Sequence, residues 1–318
     1  MQKSELSVVI PCYKSGGNLR PLHERLVPIL ESIAGEFEII FVEDGGGDST
    51  WDEICSLARI DKRIKGIKLA RNYGQHNALL CGMRAASGEI IITMDDDLQN
   101  PPEEIHKLLA KIREGYDVVY GTPEEETHGF LRDAASRITK IALQGAMGVS
   151  SASKVSAFRA FKRKLCTAFD AYRSPTVNIE VLLSWATTRF ASVSVRQDKR
   201  ILGESGYTLK KLMAHAINMM TGFSTLPLRI ASVIGLMFAF GGGMTLMYVI
   251  ARYLISGSAV PGFSFLASII SIFSGVQLFA LGIIGEYLSR MHFRMMERPP
   301  YAIDTIFEVD DSKLVFLK

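Results

Sequence analysis

Two long stretches without a formal charge constrain this chain more than any other feature. Ile230 to Ala251 is 22 residues and Tyr253 to Gly285 is 33. Pro261 and Gly262 break the second, leaving Phe263 to Gly285 as an unbroken run of 23. At a rise of about 1.5 Å per residue, each crosses a hydrocarbon core about 30 Å thick. A helix packed on a soluble core keeps a polar face to water. Neither stretch has one, so the expectation is a transmembrane hairpin over residues 229–285, with spans at 230–251 and 263–285.

Basic residues flank the hairpin at its outer ends: Lys210, Lys211 and Arg229 before it, and Arg290, Arg294 and Arg298 after it. The turn from Ser256 to Gly262 carries no charge. Positive charge marks the cytoplasmic side, so both termini are expected in the cytoplasm, in a multi-pass protein of the cytoplasmic membrane. Arg252 near the turn is the exception, and its long stem lets it snorkel to the far interface. A net charge of +3 is too small to indicate nucleic acid and suits anionic headgroups instead. The four cysteines show no paired spacing and read as reduced, buried thiols; the six histidines are scattered, against a zinc site.

Ahead of the hairpin the pattern changes to short apolar runs alternating with amphipathic stretches. Leu6–Ile10, Phe37–Val42, Ile67–Leu69, Ile90–Met94 and Val118–Tyr120 read as strands. Leu19–Ile33, Thr50–Ile60, Gln75–Ala86 and Glu103–Arg113 read as helices. Asp48 or Ser49 suits the cap of the second helix, and Pro101 and Pro102 suit the start of the fourth. Continuous apolar strands between helices indicate a doubly wound, mostly parallel α/β sheet covered on both faces. Later segments read as helix (Phe130–Met147), strand (Ala157–Phe161), helix (Ile179–Ala186) and strand (Ala191–Val195). Thr208–Phe223 places Leu209, Leu212, Met213, Ala216, Ile217 and Met220 on one face, as an amphipathic helix lying at the interface would. The expected organisation is a cytoplasmic domain over 1–207, an interfacial helix over 208–228, the hairpin, and a cytoplasmic tail over 286–318.

In such sheets ligands bind beyond the carboxyl ends of the strands. Asp95-Asp96-Asp97-Leu98-Gln99 ends the fourth apolar run at that edge. Crowded carboxylates repel unless a cation neutralises them. Oxygen donors at alternating positions, Asp95, Asp97 and Gln99, suit Mg2+ or Mn2+ shared with substrate phosphates. Read alone, the segment serves equally as a solvated acidic turn. Glu43-Asp44-Gly45-Gly46-Gly47-Asp48 opens onto the same edge, where glycines admit a ligand and Asp44 suits a base or ribose; read alone, it is also a helix-capping turn.

Several segments, in order, together resemble one family. They are Val8-Val9-Ile10-Pro11-Cys12-Tyr13, Val42-Glu43-Asp44-Gly45, Arg71-Asn72-Tyr73-Gly74-Gln75-His76 and Asp95 through Glu104. Phe158-Arg159-Ala160-Phe161, Arg200 with Gly203-Glu204-Ser205-Gly206-Tyr207, and Gly285-Glu286-Tyr287-Leu288 follow. The chain resembles the polyisoprenyl-phosphate glycosyltransferases, a branch of the family 2 glycosyltransferases, from about residue 6 to residue 301. The resemblance implies a GT-A fold and transfer of a sugar, with inversion, from a nucleotide-sugar to a polyisoprenyl (undecaprenyl-type) phosphate. It implies that Pro11, Tyr13, Asp44, Arg71, Asp95 and Asp96 bind the donor. Asp95, Asp97 and Gln99 would hold the metal, and Arg200, Ser205 and Lys210 the acceptor phosphate. Asp95, Asp97 and Arg200 are then the catalytic candidates. A homo-oligomer, a tetramer, is implied as well.

Three positions depart from the family pattern. Lys14-Ser15 stands where Asn-Glu is usual, Gly206 where a lysine is common, and Ser153 where an acidic residue, often called the base, is found. An ionised phosphate needs no base to attack, so Ser153 fits a phosphate acceptor better than a hydroxyl. Two other readings share these motifs. A polysaccharide synthase would carry Gln-x-x-Arg-Trp, and Gln197-Asp198-Lys199-Arg200-Ile201 lacks the tryptophan. A non-catalytic, nucleotide-binding scaffold would not need the intact Asp95-x-Asp97-x-Gln99.

Overall fold

The computed structural model describes residues 4–123, 155–198, 225–256, 262–310 and 313–314. The helices expected at Phe130–Met147 and Thr208–Phe223, and residues Ser153, Arg200, Ser205 and Lys210, lie outside them.

The strands are β1 (Leu6–Cys12), β2 (Phe37–Glu43), β3 (Ile64–Leu69), β4 (Ile90–Thr93), β5 (Val118–Pro123), β6 (Arg159–Lys162), β7 (Phe190–Val195), β8 (Ile303–Asp310) and β9 (Lys313–Leu314). They form one sheet in the order β7-β5-β6-β4-β1-β2-β3-β8-β9. β1 is central because its seven residues, Leu-Ser-Val-Val-Ile-Pro-Cys, are buried on both faces, as a parallel strand between two layers must be. It pairs in parallel with β2 and β4, and β3 pairs in parallel with β2. β6 runs antiparallel to β4 and β5, making the sheet mixed but mostly parallel in its centre.

The helices are α1 (Gly16–Ile33), α2 (Thr50–Ile60), α3 (Gln75–Ala85), α4 (Ile105–Arg113), α5 (Ile179–Ala186), α6 (Leu226–Ser256) and α7 (Phe263–Met295). Leu19, Leu22, Leu26 and Leu30 give α1 a buried stripe at helical spacing, which packs with α2 and α4 on one face of the sheet. α3 and α5 cover the other face. Ser49 occupies the N-cap of α2 without a side-chain cap bond, and Asp48 Oδ1, one residue earlier, accepts the Thr50 amide at 3.3 Å. Before α4, Pro102–Glu104 forms a tighter 3-10 turn, so the α-helix starts two residues later than the sequence pattern suggests.

α6 and α7 are 31 and 33 residues long, and both carry segments apolar enough to cross a membrane, Pro227–Ile255 and Ile272–Phe293. Neither is buried in the domain: Leu236, Phe240 and Leu278 are about 70 % exposed, which rules out a soluble core helix. They pack on each other, with the Phe238 and Phe273 rings edge to face at 5.7 Å. α7 runs ten residues past Gly285, where the sequence reading ended the span, and the Arg290–Glu286 pair at 2.7 Å lies on this extension. The segment read as a tail, 286–318, also returns to the sheet. β8 pairs antiparallel with β3 and buries Phe307.

Candidate active site

The carboxyl ends of β1, β2 and β4 bring three loops to one edge, as the parallel register requires. Together with the start of α3 they enclose a cleft of about 430 Å³. Its lining includes Pro11, Tyr13, Lys14, Asp44, Asp95, Asp96 and Asp97, so six donor-site or metal-site residues named from sequence do converge. Cys12, Ser15, Asn18, Asn72, Gly74 and Gln75 also line it. Asn72, Gly74 and Gln75 belong to a motif with no role assigned from sequence; its position after the apolar strand β3 is the signal that places it at this edge.

Tyr13 is half exposed in the cleft, an aromatic surface on which a base can stack. Lys14 lies over its ring at 5.4 Å and takes a left-handed backbone, φ 57°. Asp44 is buried, and its two oxygens accept the amides of Tyr73 at 2.7 Å and Gly74 at 2.8 Å. It therefore shapes the 71–74 loop directly, and each oxygen keeps a lone pair for a ligand donor. Burial raises its carboxyl above the usual aspartate range. Gly45 sits under the same loop at φ 64°, and a Cβ there would fall 2.4 Å from the Arg71 backbone. Only glycine allows this approach.

Each of the three acidic side chains has a different environment. Gln75 Nε2 donates to Asp95 Oδ1 at 2.6 Å. Asp97 Oδ1 accepts the Gln99 amide at 3.1 Å, closing the turn. Asp96 points inward and accepts from the Ser15 hydroxyl. Burial pushes its pKa up to about 6, Asp97 adds to this, and the Ser15 bond opposes it. Cys12 beneath them is raised well above its ordinary value by burial and then by Asp96 and Glu43. The floor of the cleft is thus strongly negative. The next residue, Leu98, is buried in the core with φ 61°, a strained conformation that packing holds in place beside the acidic turn.

Two expected site residues lie elsewhere. The Arg71 guanidinium stacks on the Tyr73 ring at 4.5 Å and is outside the cleft lining, as is Gln99. The Gln99 carbonyl accepts the Asp198 amide at 2.9 Å, which brings the segment leading to Arg200 beside the acidic loop.

Among the described residues no three His, Cys, Asp or Glu side chains converge as a complete metal cage. Two cleft-facing carboxylates with an open side instead fit Mg2+ or Mn2+, which keep water and substrate phosphate in their coordination shells.

Comparison with known proteins agrees with this geometry. Residues 7–169 match the model of "Glycosyl transferase family 2". The undecaprenyl-phosphate 4-deoxy-4-formamido-L-arabinose transferase of Proteus mirabilis is 34% identical over 96% of this chain and 95% of its own. The enzyme of the same name from Pseudomonas paraeruginosa is 33% identical over 97% of this chain and 92% of its own. An uncharacterized glycosyltransferase of Bacillus subtilis is 30% identical over 98% and 96%. Glucosyl-3-phosphoglycerate synthase of Mycobacterium tuberculosis, crystallised with Mn2+, UDP-glucose and phosphoglyceric acid, shares the fold. Its TM-score is 0.52 at 18% identity, over 69% of this chain and 78% of that one. Sheet order, cleft, acidic turn and whole-length likeness lead to one conclusion: this chain is a glycosyltransferase and belongs to glycosyl transferase family 2.

Proposed function

We propose that the protein transfers a sugar from a nucleotide-sugar to a polyisoprenyl phosphate of undecaprenyl type, with inversion, at the cytoplasmic face of the membrane. The observation that carries this reading is the likeness to undecaprenyl-phosphate transferases over 96% of the chain, the membrane hairpin included. A lipid acceptor requires both a donor cleft and an anchor beside it.

Tyr13 and Asp44 bind and orient the nucleotide, and Asp95 and Asp97 would hold Mg2+ or Mn2+, while Gln99 closes the acidic turn through its backbone amide. A cation held there would supply charge stabilisation to the departing diphosphate. Arg200, Ser205 and Lys210 receive the acceptor phosphate, whose oxygen displaces the nucleoside diphosphate from the opposite face of the anomeric carbon. The anomeric C–O bond to the diphosphate breaks as the new one forms. A phosphate monoester with a second pKa near about 6 is already ionised at neutral pH, so Ser153 does not need to remove a proton. The domain and both termini face the cytoplasm, with residues 208–228 at the interface.

The experiment offers the purified protein undecaprenyl phosphate and a glycolipid with a free hydroxyl, with a panel of nucleotide-sugars. Transfer to the phosphate should rise through about pH 6 and flatten above it. Asp97→Asn, or excess chelator, should abolish transfer. Arg200→Ala should lower it by about tenfold to a hundredfold, the worth of a charged hydrogen bond to phosphate, with less effect on donor binding. Preference for the hydroxyl, with base dependence above pH 7, would refute the acceptor.

A further inference from the structure

Three consecutive residues at the start of α3 reach three different parts of the molecule. Gln75 holds Asp95 in the cleft at 2.6 Å. The His76 ring lies 3.7 Å from the buried Glu180 carboxylate. Asn77 is buried, and its amide donates to the Pro175 carbonyl at 3.1 Å and to the Pro300 carbonyl. Pro300 belongs to the chain that has just left α7, with only four residues between it and Met295.

The contact continues along α3 at positions i+4 and i+7 from Asn77, one face of the helix. Burial raises the Cys81 thiol to about 12, while a hydrogen bond to Tyr301 lowers it. Arg84 Nη1 reaches the Tyr301 hydroxyl at 3.5 Å, and Nη2 donates to the carbonyls of Asp170 at 2.9 Å and Tyr172 at 2.7 Å. The Ala70 amide then donates to the Ala302 carbonyl at 2.9 Å, and β8 pairs with β3 from Ile303 onward. The five residue steps from Met295 to Pro300 span at most about 18 Å. Glu297, with φ 49°, and Pro299 with Pro300 restrict that linker further. The end of α7 therefore cannot move far from α3, nor α3 from the cleft that its first residue lines.

We propose that Asn77 is a positioning residue that ties the donor cleft to the membrane hairpin, holding Asp95 at the height where a membrane-bound acceptor presents its phosphate. The inference rests on the lipid-acceptor reading above. Asn77 itself lines no part of the cleft. Loss of the tie should leave donor chemistry intact and misplace the donor relative to the membrane. A misplacement of about 1 Å costs on the order of a hundredfold in rate.

Full-length Asn77→Leu, which keeps the volume but not the donor, and Arg84→Met are compared with wild type in liposomes containing undecaprenyl phosphate. Three quantities are read: affinity for nucleoside diphosphate, hydrolysis of the donor by water, and transfer to the lipid. The first two should stay within about twofold, while transfer falls about tenfold or more. Unchanged transfer, or an equal fall in all three, overturns the proposal. Hydrogen exchange supplies a readout that does not depend on the acceptor. In Asn77→Leu, exchange should rise together at 75–77 and at Ala70 and Thr305–Glu308; no rise, or a rise on one side alone, overturns the tie. A wild-type protein that hydrolyses donor but ignores the lipid refutes the acceptor, and the exchange result still decides the coupling.

Discussion

Arg159 is about 1 % exposed, among the most buried large side chains of the described residues, and it sits directly behind the acidic turn. Its Nη1 donates to Glu180 Oε1 at 2.8 Å and its Nε to Thr93 Oγ1 at 3.0 Å, two residues before Asp95. Burial pushes the Glu180 carboxyl up, but Arg159 and then His76 more than offset this and hold it below its ordinary 4.5. Removing one partner leaves a buried charge without compensation. Arg159→Met should therefore cost about 3–5 kcal/mol, and Arg159→Met with Glu180→Leu should recover most of that. Melting curves of the two variants in detergent test this. The lowered carboxyl also sets a sign for pH. Its stabilisation is present above pH 4.5 and is lost as pH falls through the folded value. Asp61, buried but held by Arg63, and Asp117, held by Lys162, act in the same direction. Melting temperature should fall as the pH is lowered below about 4.5, and less steeply in the double variant.

At the scale of elements, α3 does the most to place the site, and one glycine sets its distance from the sheet. A Cβ on Gly82 would lie 2.4 Å from Val9 Cγ1 and 3.0 Å from Val42 Cγ2. Gly82→Ala must push α3 off β1 and β2, at about 1–3 kcal/mol, the usual cost of overpacking a core. Because Gln75 on the same helix aims Asp95, sugar transfer should fall along with the melting temperature. A destabilised variant with undiminished transfer per folded molecule would show that α3 does not set the cleft. The helix itself was legible from its apolar periodicity, and its end came within one residue. β8 was not read, although Thr305, Phe307 and Val309 alternate with charged or half-buried neighbours, because its apolar content is thin for a central strand. It forms by antiparallel pairing with β3 on one side and β9 on the other, contacts that local spacing does not reveal.

For the molecule as a whole, the hairpin is the part whose setting matters most. Its exposed leucines and phenylalanines, with Gly242 seated against the Phe273 ring, describe two helices that pack on each other and leave their outer surfaces to lipid. In the proposed orientation only the turn near Ser258 is outside. A cysteine placed there, without the four native ones, should react with an impermeant thiol reagent in intact cells, whereas one placed at Ser312 should not. The reverse pattern would invert the orientation and move the cleft to the other side of the membrane.

By itself the sequence determined the alternation of strands and helices, the two spans and the acidic turn at a strand end. These follow from local spacing and from the length a membrane demands. It also carried the order of motifs that places the chain in its family. Only the tertiary structure decided which side chains face the cleft. Asp95, Asp96 and Asp97 are adjacent in sequence, yet one meets Gln75, one turns inward to Ser15 and one closes its own turn. Arg71 opens the motif whose Asn72, Gly74 and Gln75 line the cleft, yet it stacks on Tyr73 and is outside that lining. Long-range pairing made the other decisions: Glu180 behind Thr93, and Pro300 against Asn77, 223 residues away. Such contacts depend on which surfaces the sheet order brings together, and local spacing does not encode that order.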